Sequence, residues 1–155
     1  MINFFFKDIK MSWFWLVVRL YVGWQWFQSG YEKINASSWV GKTSGSALSS
    51  FIKNTDDISP WYSWFLHNIV LPHSGNWAFI ISYGQIVVGV GLLLGGFTWL
   101  AAFFSFFMSI NLLLAGSISI NPELVVLSLG LMLASDVAGW IGVDRLLNRF
   151  FKRHG

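Results

Sequence analysis

Residues 13–34 form an apolar stretch that is long enough to cross a bilayer, yet they include Arg19, Gln25, Gln28, Glu32 and Lys33. Polar groups at membrane depth are costly, so they face a protein interior and mark candidate sites. Gln85 and Asn111 add two amides in later apolar runs, and Asp136 adds a carboxylate in the last. Amides can donate hydrogen bonds to a carbonyl, and lysine and arginine can hold an anion. The chain has no cysteine, which removes disulfides, cysteine-ligated clusters and thiol chemistry. Its three histidines, His67, His73 and His154, show no paired spacing on one helix, so neither a metal nor a haem site is expected.

The elements that must position these groups follow from composition. The 155 residues are 55% hydrophobic and 11% charged, against about 25% charged in a soluble domain. Mean hydropathy is +0.58. One all-α membrane domain over residues 1–155 is expected, a bundle of four transmembrane helices. The spans fall at about 13–34, 77–95, 98–116 and 122–143, near the ~20 residues that a bilayer requires. The first apolar run is too long, and too polar at its end, for a cleavable signal peptide, and reads as a retained helix. Residues 35–76 form a long connection whose apolar pieces suit short interfacial helices, with Pro60 as a helix start and Pro72 as a stop. Gly23, Gly30, Gly84, Gly91 and Gly95 are expected at close helix contacts, with Gly95-Gly96 as a tight turn. Residues 4–6, three phenylalanines, suit a frayed, lipid-touching lead.

The net charge of +3 does not point to nucleic acid, because Arg145, Arg149, Lys152 and Arg153 cluster in the tail beside an apolar segment. With Lys7 and Lys10 they place both termini on the cytoplasmic side of the cell membrane, and the long connection outside. Its Lys and Arg are balanced by Asp56, Asp57 and Glu32.

Counting depth at ~1.5 Å per residue puts Arg19 level with Asp136, about two turns from the cytoplasmic face. An ion pair between them is expected, either as a clamp or as a proton or anion site. In the outer halves, Gln25, Gln28, Gln85, Asn111 and Ser128 share a layer, with Lys33 and Glu32 at its mouth. That layer reads either as interhelical hydrogen bonding or as a pocket for a small polar molecule or a quinone headgroup. Tyr21, Trp24, Trp26, Tyr83 and residues 61–65 could wall such a pocket. His67 and His73 could accept a proton beside it, or be solvated interface histidines.

The stretch from Arg19 through Gly23 and Gly30 to Lys33 resembles the first helix of DoxX/DoxD-like membrane proteins. Pro60-Trp61-Tyr62 followed by Val70-Leu71-Pro72-His73 is similar to the loop of the DoxD branch. The pattern from Gly84-Gln85 to Gly89, Gly91 and Gly95, then Asn111 to Gly116-Ser117, Asn121-Pro122 and Gly142-x-Asp144, continues the likeness over most of the chain. The resemblance implies a four-helix membrane protein and, in the DoxD branch, a subunit of a thiosulfate:quinone oxidoreductase that makes tetrathionate. It implies a membrane quinone as the cofactor, none being held within the chain. The partners expected are the lipid bilayer and a second oxidoreductase subunit, with a homo-oligomer left open. The alternative is a scaffold that anchors a soluble redox or thiol-stress partner. One departure is that the family commonly has Glu where this chain has Gln85, which cannot take a proton.

Overall fold

The computed structural model describes residues 8–55, 58–117, 121–140 and 142–143. The basic tail with His154, Asp144 of the closing motif, Asp56, Asp57 and residues 1–7 lie outside the described residues.

Every regular element among the described residues is helical. Helix α1 covers Ser12–Asn35, α2 Ser46–Lys53, α3 Pro60–Phe65, α4 Ser74–Leu94, α5 Thr98–Leu114, α6 Asn121–Leu133 and α7 Ser135–Ala138. The buried residues of α1 (Trp15, Val18, Arg19, Val22, Gly23, Trp26 and Gly30) recur every three or four positions. They make the single stripe that a helix turns toward a core.

Helix α1 packs lengthwise on α4, and α5 on α6. The first contact is close because glycines meet backbone: a Cβ on Gly89 would stand 2.5 Å from Phe27 N, and one on Gly30 2.8 Å from Ser82 O. Gly91 faces Ala101, whereas among the described residues no atom lies within 4 Å of where a Gly84 Cβ would be, so Gly84 is not at a close helix contact there. Gly89 and Gly130, against Trp15, serve as close contacts in its place. Hydroxyls join the middle of the bundle: Trp26 Nε1 donates to Ser105 Oγ at 2.6 Å, and Ser105 and Ser128 share a 2.5 Å bond.

Two apolar clusters result. One fills the bundle around Val22, Trp26, Leu92, Ala102 and Leu131. The other lies under the long connection, where Leu48, Ile52, Tyr62, Leu66 and Val70 cover Ala78 and Ala115.

Pro72 does not end the helical run before α4. Residues Leu66–Val70 widen into a π-helical turn and Leu71–His73 tighten into a 3-10 turn, which accommodate the proline and lead into α4. Pro60–Leu94 is therefore one 35-residue run whose most apolar 18-residue window has mean hydropathy 1.9, and among the described residues it alone is both long and apolar enough to cross a membrane. Helix α1 has the length, at 24 residues, but carries its polar groups; α5 and α6 are apolar but have 17 and 13 residues. The last expected span breaks at Ala134, where Ser135 and Asp136, poor in a helix interior, open a new four-residue helix. Large apolar side chains cover the outside, Trp13, Val17, Val87 and Val126 each being at least 65% exposed. An apolar exterior of this kind suits a hydrocarbon solvent.

Candidate functional site

A cavity of about 250 Å³ lies between the covering segments α2 and α3, the stretch of α4 from Trp77 to Gln85 and the C-terminal end of α5. Its wall is apolar and aromatic, with Phe51, Ile52, Phe65, Trp77, Phe107 and Met108 among its residues. Three side chains bring amide or hydroxyl groups to it: Tyr62, Gln85 and Asn111. They come from α3, α4 and α5, and the Tyr62 hydroxyl reaches Asn111 near the end of α5.

The Tyr62 hydroxyl donates to Asn111 O at 3.0 Å and to its Oδ1 at 3.2 Å. Asn111 Nδ2 donates to Phe107 O at 2.7 Å, so both ends of that amide are engaged. Gln85 is 1% exposed, and its Oε1 accepts from Ser29 Oγ at 3.3 Å. Among the described residues its Nε2 donates to no protein group. Burial of an amide with one end unused is unfavourable unless something else satisfies it.

The other expected site residues lie elsewhere. Lys33, half-buried, donates to Ser29 Oγ at 2.7 Å and lies 5.1 Å from the centre of the Trp39 ring. Gln28 is exposed and donates to Glu32 at 3.0 Å. Gln25 is half-buried near the Tyr21 hydroxyl, which also faces the Glu123 carboxylate. His67 is exposed and contacts its own helix at Ser63 O, 3.0 Å away; His73 is exposed just before α4. Of the aromatics expected as walls, Tyr62 and Phe65 line the cavity. Trp24 and Tyr83 point outward, and Trp26 and Ser128 belong to the bundle's hydroxyl network.

Arg19 is 2% exposed and its Nη1 donates to the Ala138 carbonyl at 2.9 Å. Asp136, expected as its ion-pair partner, is exposed, because the break at Ala134 turns the first residues of α7 outward. The guanidinium thus meets a backbone carbonyl of α7 where the Asp136 carboxylate was expected. Gly95 packs on that guanidinium in a left-handed conformation, φ 65°, where a Cβ would stand 2.0 Å from Nη1. Among the described residues, no group of three or more His, Cys, Asp or Glu is placed to hold a metal ion.

Sequence reasoning missed Ser29 and Glu123. Ser29 was within reach of it: it lies one turn before Lys33 and so on the same face of α1. Glu123 follows Pro122 in the first turn of α6, where an acidic residue reads simply as a favourable helix start.

Comparison with curated proteins and with solved structures gives no match. A family model does match, that of DoxX, over residues 14–117. The matched region includes every residue that lines the cavity. On that match the chain belongs to the DoxX family, and it is a membrane protein.

Proposed function

We propose that this chain is the membrane subunit of a quinone-linked oxidoreductase, and that the cavity holds the quinone ring. One observation carries the reading: Gln85, almost fully buried in the wall of an apolar and aromatic cavity, bonds to Ser29 through Oε1 and makes no bond through Nε2 to any described residue. A quinone ring is flat and apolar, with a carbonyl at each end that needs a donor. Sites for such ligands are mostly apolar with a few placed polar groups. In this reading α1, α4, α5 and the α6–α7 segment each cross the bilayer, with both termini cytoplasmic and the cavity toward the outside. The basic residues flanking the apolar runs support that orientation.

Thiosulfate is the electron donor implied by the DoxD likeness. Two thiosulfate ions joined by one new S–S bond release two electrons, and the quinone takes these with two protons to become the quinol. The apolar cavity suits the acceptor, and a partner subunit supplies the donor side.

The test is binding of a short-chain naphthoquinone to the protein in lipid nanodiscs, corrected with empty nanodiscs. Gln85→Leu should weaken binding about fivefold or more, the worth of one hydrogen bond. Equal binding by the two forms would remove the cavity reading. If the protein then still co-purified with a soluble redox enzyme, the scaffold role would replace it.

A further inference from the structure

Two side chains outside the cavity wall decide which end of the Gln85 amide faces into it. Lys33 Nζ donates to Ser29 Oγ at 2.7 Å and approaches Ser29 O at 3.4 Å. The Ser29 hydroxyl donates in turn to Gln85 Oε1 at 3.3 Å. An ammonium group has donors only, and a hydroxyl has one proton. With its oxygen accepting from Lys33, Ser29 has that one proton to pass on, and the acceptor it meets is Oε1. The chain therefore runs in one direction, from Lys33 through Ser29 to Gln85. It leaves Nε2, a pure donor, for the cavity. A charged first donor strengthens the order, and the Trp39 ring helps keep that charge in place.

The second amide in the wall agrees. Asn111 Oδ1 is taken by the Tyr62 hydroxyl, and Asn111 Nδ2 by Phe107 O. Of the amide groups in the wall, Gln85 Nε2 is the donor that has no bond to a described residue.

We infer that Ser29 and Lys33 are positioning residues which set the specificity of the cavity for a ligand that presents a hydrogen-bond acceptor, such as a ring carbonyl. This rests on the quinone reading of the cavity and adds what that reading lacks, the groups that hold the donor end of Gln85 toward a ring carbonyl. An unsubstituted hydrocarbon ring would leave Nε2 without a partner.

The experiment compares 1,4-naphthoquinone with naphthalene, a ring of matching shape without carbonyls, by equilibrium dialysis against the full chain in nanodiscs. The wild-type protein should favour the quinone. Ser29→Ala and Lys33→Met break the chain at different links, and each should reduce the preference about fivefold. Naphthalene binding should stay unchanged, which separates positioning from a general loss of packing. Ser29→Thr, which keeps the hydroxyl, should keep the preference. If Gln85→Leu abolishes the preference while Ser29→Ala and Lys33→Met leave it intact, the inference is overturned and the quinone site stands. If the wild type shows no preference, the quinone reading itself falls, and the inference falls with it.

Discussion

Gly89→Ala joins the packing of the bundle to the chemistry of the cavity. The added Cβ would stand 2.5 Å from Phe27 N, 2.8 Å from Gly23 O and 2.8 Å from Phe27 Cα, against an ordinary contact that begins at 3.4 Å. All three are backbone atoms, so no side-chain rotation relieves the clash. Moving 2.5 Å out to 3.4 Å requires α1 and α4 to part by 0.9 Å. Gln85 lies one turn along α4 from Gly89, and its bond to Ser29 on α1 is already 3.3 Å long. The same separation carries that pair out of hydrogen-bond range. Overpacking costs about 1–3 kcal/mol, which in a chain of this size lowers the unfolding midpoint by roughly 4–10 °C. Thermal unfolding followed by near-ultraviolet circular dichroism measures the first effect, and naphthoquinone binding the second. Gly84→Ala is the control, since its Cβ would meet nothing within 4 Å. Equal midpoints for the two variants would refute the close approach of α1 and α4 through Gly89.

Tyr62→Phe removes the hydroxyl that ties the covering segment to Asn111. It should cost about 1 kcal/mol in a denaturant titration. Gly95→Ala must place a Cβ 2.0 Å from Arg19 Nη1 in a left-handed backbone, so a loss of more than about 2 kcal/mol is expected. That loss is read as reduced yield of the monodisperse protein on size exclusion.

The helices were legible because their apolar runs are long and their ends are marked by Pro60, Pro122 and the Gly95-Gly96 pair. That Gln85 and Asn111 belong to one place was legible too, since they are the amides in two neighbouring apolar runs, and both line the cavity. Depth counting went astray at the fourth run, because it treats helices as equal parallel rods. Helix α6 ends at Leu133, and the turn at Ala134 carries Asp136 away from Arg19. The rule that a proline stops a helix failed at Pro72, where neighbouring π and 3-10 turns share out the distortion. Ser29 was overlooked because a serine in an apolar helix usually bonds back to its own turn, as Ser82 does to Ala78 at 2.7 Å. Its actual role depends on α1 and α4 being glycine-close, which is a property of two helices together.

Residues Pro60–Leu94 form both the cover of the cavity and the helix that bears Gln85. Cover and wall are thus two arms of one lever, with its weakest joint in the irregular turns of Leu66–His73. Trp61 and Trp64 are exposed on the outer arm, and side chains of that kind settle at the headgroup level of a bilayer. A thinner or thicker membrane would tilt the arm through those anchors. With the bilayer placement proposed above, the expected outcome is that naphthoquinone affinity changes between nanodiscs of short-chain and long-chain lipid.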